Sequence, residues 1–376
     1  VSFRYAAGIN KPGFNPLAAQ TTTYDLYAWG YNASGQLGLG TTTRSVTPSQ
    51  VSSSISWTKI FTGRNFGIAT KPNGTLWMWG GNAIGQLGLG DTTNRSSPTQ
   101  VGALTNWLNV SGGYSYTLAT KTDGTLWAWG RNNRGQLGLG NTTNYSSPKQ
   151  IGALTSWLLV SASYESSVSI KTDGTLWTWG RNNFGQLGIG NTTNYSSPKQ
   201  VGALTNWSKV QFSSSGYSIV AIKTDGTIWT WGDGSLGVLG LNNTTTYSSP
   251  KQLGALTTWS DAFSGSYFVL ANKTDGTLWS WGYNNYGQLG LGDITNRSSP
   301  VQIGALTTWL YIASCGYSGN AIKTDGTLWT WGSNSQGQLG LGDYGSGTER
   351  SSPNQVGSST TWIAISGGSD FVLALG

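Results

Sequence analysis

The chain has 376 residues, of which 37% are apolar and only 9% charged, yet 20 are Trp and 17 are Tyr. A disordered chain so poor in apolar residues would carry a high net charge; here the net charge is +7, so a core built from large aromatic side chains is expected. Cys315 is the only cysteine and there is no histidine, which excludes an internal disulfide framework, a thiolate metal cluster and any His-based nucleophile activation.

Residues 1–23 come first and stand outside any repeat. Val1-Ser-Phe-Arg-Tyr and Pro12-Gly-Phe-Asn-Pro-Leu17 mix aromatic residues with chain breakers, a pattern suited to an arm that tethers a domain to a larger assembly or packs on it. The first eight residues lack the apolar stretch of a secretion signal. No segment approaches the ~18 apolar residues of a membrane span. Neither a cleaved leader nor a spanning helix is expected.

From residue 24 onward the chain is periodic. Trp-Gly occurs at Trp29, Trp79, Trp129, Trp179, Trp231, Trp281 and Trp331. A second Trp recurs at Trp57, Trp107, Trp157, Trp207, Trp259, Trp309 and Trp362. A third recurs at Trp77, Trp127, Trp177, Trp229, Trp279 and Trp329, with Tyr27 in the first copy. Every Trp therefore holds a repeat position, and all twenty are assigned to a core between repeats rather than to an exposed stacking array.

One copy reads as follows. Tyr114 to Lys121 alternates and is β-prone, and Thr122-Asp123-Gly124 supplies the positive-φ residue of a tight hairpin. Thr125-Leu-Trp-Ala-Trp129 returns as a strand with Trp127 and Trp129 on one face. A glycine-rich loop follows to Gly140, then a polar stretch ending in Ser-Ser-Pro148, and Gln150-Ile151 begins a short outer strand. Ala153 to Val160 starts the next copy. Such hairpin-rich, four-stranded units with no helical period, repeated radially, make a β-propeller. The fold class is all-β, a seven-bladed propeller over residues 24–376. The last copy stops at Leu375 without its return hairpin, and the first lacks its opening strands. Residues 361–375 are therefore expected to pair with residues 24–30 in one mixed blade, leaving no open edge.

The string Trp-Gly-x-Asn-x-x-Gly-Gln-Leu-Gly-Leu-Gly stands at Trp29–Gly40, Trp79–Gly90, Trp129–Gly140, Trp281–Gly292 and Trp331–Gly342. Trp179–Gly190 differs only at Ile189, and the fifth copy, Trp231–Asn242, is degenerate. This motif resembles that of the regulator of chromosome condensation repeat family, whose members form seven-bladed propellers. The resemblance implies two activities. The chromatin-bound members exchange nucleotide on a small GTPase, using acidic and histidine side chains on one face and an inserted wedge. This chain has only Glu165 and Glu349, no His, and insertions of two residues before Lys223 and three within Asp343–Arg350. The plant ultraviolet-sensing members place coupled Trp beside Arg in Gly-Trp-Arg-His-Thr segments. The matching stretches here, Gly-Arg-Asn-Phe66, Gly-Gly-Tyr-Ser115 and Gly-Ser-Tyr-Phe268, carry no Trp. Neither activity carries over.

The Gly-Gln-Leu-Gly-Leu-Gly loops lack the following helix and the Lys of a phosphate loop, so their glycines are assigned to backbone geometry. Five of the twelve Lys sit two residues before an Asp, and no basic run exists, so nucleic-acid binding is not expected. No cofactor and no catalytic machinery are expected. Candidate binding residues are those where near-identical copies disagree at loop tips, since loops on rigid scaffolds carry recognition. After Trp-Gly these are Tyr31, Arg131, Arg181 and Tyr283. Three residues on they are Arg134, Phe184 and Tyr286. Three before the Pro they are Arg95, Tyr145, Tyr195, Tyr247, Arg297 and Arg350. The sulfur-poor, Ser/Thr/Asn/Gly-rich composition points to a non-catalytic structural or adhesive protein of a bacteriophage virion. Residues 1–23 and the loop tips would contact other virion or surface proteins. The alternative is a soluble multivalent lectin at the cell exterior that binds glycans on each blade.

Overall fold

A computed structural model describes residues 23–52 and 56–376. The N-terminal arm proposed as an anchor lies outside the described residues. Seven four-stranded antiparallel sheets form a closed ring, as the period predicts. Among the described residues there is no α-helix. One 3₁₀ turn, Ser235–Gly237, occurs in the degenerate copy.

A representative blade runs outward through Trp107–Gly112, Tyr116–Lys121, Leu126–Gly130 and Tyr145–Gln150. The innermost strands of neighbouring blades pack against one another. The outermost strand begins earlier than its sequence suggests. It contains Pro148 rather than following it, because an outermost strand has one side with no ladder to complete. Its pairing jumps from Tyr145↔Gly130 to Lys149↔Ala128 across a bulge, and this accommodates the proline.

The mixed blade has the order Ser45–Gln50, Leu26–Gly30, Phe371–Leu375, Ala364–Gly367. The register runs from Leu26↔Leu375 to Gly30↔Phe371, so both ends of the propeller share one sheet, as expected.

The tryptophans divide by role. The Trp-Gly set is fully buried, and each indole N–H donates to a backbone carbonyl of the preceding blade, as Trp129 does to Gln86 at 2.9 Å. Trp107 stands edge-on to Trp129 and Trp127, centroids 5.7 and 6.2 Å away. The third set departs from the all-core expectation: Trp77, Trp127 and their equivalents are half-buried. Lys121 covers Trp127, its Nζ 3.7 Å from the ring centroid, and Lys71, Lys171, Lys223, Lys273 and Lys323 repeat the contact. These cations are spent on aromatic faces, which accounts for six basic residues of the chain.

The motif glycines are dictated by the neighbouring blade. Gly138 has φ +73°, and a Cβ there would lie 2.8 Å from Nε1 of Trp179. Only glycine allows the loop to lie against that indole while keeping positive φ.

Candidate functional site

All the loop-tip candidates fall on one face of the ring. The end of the third strand and the start of the outer strand meet there, as the Gly130↔Tyr145 pair shows. The turn from the innermost to the second strand reaches the same face, where the Arg131 N–H donates to the Ser115 carbonyl at 2.9 Å. Every blade therefore contributes three concentric positions: a mouth residue, a middle loop and an outer loop.

The mouth is built from residues outside the loop-tip set. The seven inner turns present Arg64, Tyr114, Tyr164, Tyr217, Tyr267, Tyr317 and Ser369 around a central cavity of about 380 Å³. The five tyrosines are half-buried. Four follow one another rim-wise: Tyr114–Tyr164 at 4.5 Å, Tyr164–Tyr217 at 6.4 Å and Tyr217–Tyr267 at 6.3 Å between centroids. Arg64 caps one end over Tyr114 at 4.2 Å. Backbone bonds between blades fix the rim: Arg64 N–H to Gly113 O, Tyr114 N–H to Ser163 O, Ser266 N–H to Gly316 O and Ser369 N–H to Arg64 O, all between 2.9 and 3.1 Å. The two-residue insertion before Lys223 lies in this rim, within the turn between Phe212 and Ser218.

The middle loops join the mouth unequally. Phe184 packs on Tyr217 with centroids 4.9 Å apart, and Tyr283 and Tyr286 pack on Tyr317 at 6.0 and 5.4 Å. Arg131, Arg134 and Arg181 converge on the carboxylate of Glu165 at 3.5, 3.7 and 3.4 Å. That side chain is only 5% exposed, whereas Arg134 is 48% exposed. Tyr31 is exposed beside the mixed blade.

The face is electrically lopsided. The Arg131, Arg134 and Arg181 sector carries three cations against one anion, with Arg64 beyond Tyr114. The face also holds Asp233, in the blade next to that of Arg181 and beside Tyr267, whose hydroxyl pKa is raised by burial first, then by Tyr217 and Tyr317, and least by Asp233. It also holds Asp370, whose carboxyl is held above the usual range by burial, opposed by the Ser369 hydroxyl and by Arg64. Burial, and Asp370 next, push the Cys315 thiol well up, leaving it protonated and unreactive. Among the described residues no three His, Cys, Asp or Glu side chains converge as metal ligands, and no helix is long and apolar enough to cross a membrane.

The outer candidates brace their own loops. Arg95 pairs with Asp91 at 2.6 Å, Arg297 with Asp293 at 2.5 Å and Arg350 with Asp343 at 2.5 Å. Where the loop starts with Asn instead, the partner is Tyr: Asn141 Nδ2 donates to the Tyr145 hydroxyl and Asn191 to that of Tyr195, both at 3.3 Å, and Asn243 to that of Tyr247 at 3.4 Å. Asp goes with Arg and Asn with Tyr in every one of these six loops.

The family model described as the regulator of chromosome condensation (RCC1) repeat matches at residues 25–70, 73–120, 123–170, 173–222, 225–271, 275–322 and 325–375. A second model of the same description matches residues 107–136, 158–186 and 259–288. No curated protein matches the chain by sequence. Among solved structures, Prp20p from Saccharomyces cerevisiae, described with its binding to Gsp1p and histones, is 17% identical with a TM-score of 0.85, covering 99% of this chain and 96% of its own. Human WBSCR16 is 20% identical with a TM-score of 0.83, covering 93% and 99%. Yeast RCC1 (Prp20) bound to Kap60 is 16% identical with a TM-score of 0.85, covering 100% and 94%. At these identities the likeness is one of fold.

Proposed function

This chain belongs to the regulator of chromosome condensation repeat family, and from that premise we propose that it is a non-catalytic recognition module. It meets its partner on the tyrosine- and arginine-lined face and is carried on a bacteriophage particle, where it contacts the host surface. One observation carries the recognition reading. The residues in which near-identical repeats disagree, Arg131, Arg134, Arg181, Phe184, Tyr283 and Tyr286, gather on the rim of a tyrosine-lined cavity. Tyrosine and arginine are the side chains that recognition surfaces favour, and a rim fixed by inter-blade backbone bonds presents them with little ordering cost.

Placement on a virion rests on composition: little sulfur, few charges and Ser/Thr/Asn/Gly-rich copies. Mass spectrometry of purified particles tests it, with the chain expected at fixed stoichiometry; absence from clean particles overturns that placement. Recognition is tested by binding of labelled protein to intact host cells. Replacing both Tyr164 and Tyr217 by Ala should abolish binding while leaving the melting profile close to wild type, and undiminished binding rejects the face.

Exchange on a small GTPase, which the family resemblance implies, would need acidic or imidazole groups at the mouth. The sequence supplies no His and two Glu, and Glu165 is committed to three arginines, which leaves Asp233 and Asp370, on separate blades, as the acidic groups near the mouth. A nucleotide-release assay decides it: no acceleration is expected.

A further inference from the structure

We propose that the channel mouth is a single binding site for the end of a carboxylated saccharide. Its carboxylate would sit on the Arg131, Arg134 and Arg181 cluster and its sugar rings against Tyr114, Tyr164 and Tyr217. The inference rests on the recognition reading and names the ligand class of that face.

The charge comes first. Three guanidinium groups carry about fifteen N–H donors, and one carboxylate accepts about four. Glu165 therefore gathers the three arginines without exhausting them, at 3.4 to 3.7 Å. Arg181 Nε is buried with no hydrogen-bond partner. The cluster sits astride a blade boundary: Arg131 and Arg134 come from one blade, Arg181 and Glu165 from the next. Arg131 lies 5.9 Å from the ring centroid of Tyr114 and Arg181 5.5 Å from that of Tyr217, so Tyr164, between them on the rim, is flanked by cations.

The anion is solitary. Asp233, one blade beyond Arg181 and near Tyr267, and Asp370, near Tyr317, flank the cation sector around the rim. A polyanion laid across the mouth would meet them, which disfavours a nucleic acid, whose every unit is charged. A neutral, hydroxylated body with one acidic group fits instead. Its hydroxyls would find Ser111, Ser214 and Gln211 in the cavity wall.

An extended peptide fits less well. It would pair with the free edges of the innermost strands, but side chains of neighbouring blades already occupy several of those groups. Asn109 donates to the Leu158 carbonyl, Ser314 to the Ser264 carbonyl, and the Ala162 N–H is taken by the Ser111 hydroxyl.

The cluster occurs once. The positions equivalent to Arg131 and Arg181 are Tyr31, Gly81, Asp233, Tyr283 and Ser333, so one site per chain is expected, not one per blade.

The test uses the full chain and matched oligosaccharide pairs that differ only in a terminal carboxylate, sialylated against asialo and glucuronate-ended against glucose-ended. They are screened on an array and then titrated calorimetrically. Acidic members should bind at one per chain, and their neutral partners about tenfold or more weakly, as expected for losing a charged hydrogen-bonded group. Tyr164→Ala should abolish binding. Arg134→Gln, at an exposed position where folding is not at stake, should weaken it severalfold and flatten its salt dependence. Leu154→Ala on the opposite face, where Leu154 is 53% exposed, should change nothing. Equal affinity for neutral and acidic members, seven sites per chain, or binding of acidic peptides or oligonucleotides in place of glycans each overturn the proposal. If no glycan binds while Tyr164 and Tyr217 remain essential for cell binding, the saccharide assignment fails and the recognition reading stands. If cell binding also survives their loss, both fail.

Discussion

The indole N–H of Trp29 donates to the backbone carbonyl of Gln338, 309 residues further along the chain, at 3.0 Å. The equivalent bond joins the other neighbouring blades, from Trp79 to Gln36 at 2.9 Å to Trp331 to Gln288 at 2.9 Å. The contact that joins consecutive blades elsewhere is therefore reused, unchanged in length, to join the last repeat to the first. Closure needs no special device beyond splitting one blade between the termini.

Trp29→Phe keeps most of the buried ring and strands a buried carbonyl. It should cost about 1–3 kcal/mol, the penalty for an unsatisfied buried acceptor, as should Trp79→Phe, which loses the matching bond to Gln36, whereas the Gln136 carbonyl keeps the Ser167 hydroxyl when Trp179 is changed. Removing residues 361–376 is more severe. It deletes the strands Ala364–Gly367 and Phe371–Leu375 and bares the edge of Leu26–Gly30, an invitation to edge-to-edge association. Size-exclusion chromatography should show aggregates; a monomer with the wild-type melting temperature would refute closure by strand pairing.

The outer loops should behave as coupled pairs. Arg95→Tyr alone leaves Asp91 without its cation and places a phenol against a carboxylate. The double change Asp91→Asn with Arg95→Tyr recreates the Asn141 and Tyr145 pair of the next blade. The ion pair is largely solvated, with side chains 28% and 41% exposed, so its worth is only about 0.2–1 kcal/mol. A double-mutant cycle by denaturant unfolding should nonetheless find the double variant more stable than the sum of its parts. Strict additivity would show that the Asp/Arg and Asn/Tyr alternation is drift.

Acid should destabilise the ring through its hairpin turns. Asp123, Asp173, Asp225, Asp275 and Asp325 each accept a hydroxyl and an N–H from the Thr two residues on. These bonds, chiefly the hydroxyl, hold each carboxyl below the ordinary Asp range. A depressed folded-state pKa means the unfolded chain takes up protons first. Stability is then fully present above the ordinary Asp value of about 3.9 and is lost as pH falls below it. Melting temperature should be flat from neutral pH to about 5 and drop steeply below about 4. Changing Asp123 and Asp173 to Asn should lower the plateau and make the drop shallower. A wild-type melting curve unchanged down to pH 3 would contradict this.

The fold was readable because the repeat is loud. The Trp-Gly spacing, the Asp-Gly turn and the truncated end copies each follow from local chemistry, and together they leave little topological freedom. The outer strand, Tyr145–Gln150, starts earlier than Pro148 taken as a boundary predicts, because an outermost strand tolerates proline internally. The site was only half legible. Variation between copies picked out Arg131, Arg134 and Arg181, but not their meeting on Glu165, which depends on how one blade's loop overhangs the next. Tyr114, Tyr164, Tyr217, Tyr267 and Tyr317 recur from copy to copy, so variation between copies does not mark them. A residue that recurs at an innermost turn is multiplied around one axis, so repetition there builds the mouth itself.

Glu165 offers the sharpest electrostatic test. Its side chain is buried while its three partners are 20% to 48% exposed, so the carboxylate is screened less than the cations it gathers. Glu165→Gln keeps the shape and removes the only negative charge of the cluster, leaving three guanidinium groups in mutual repulsion. Loss of one partner from a fully buried pair costs about 3–5 kcal/mol. Solvent exposure of the arginines reduces that here to about 1–3 kcal/mol, closer to the surface limit. The cost should shrink in 1 M salt, where the screening length falls to about 3 Å. It should also fall when Arg134→Gln is added, because one repelling cation is then gone. Urea unfolding at low and high salt measures both effects. If E165Q is as stable as wild type at low salt, the three arginines are held apart by something other than this carboxylate.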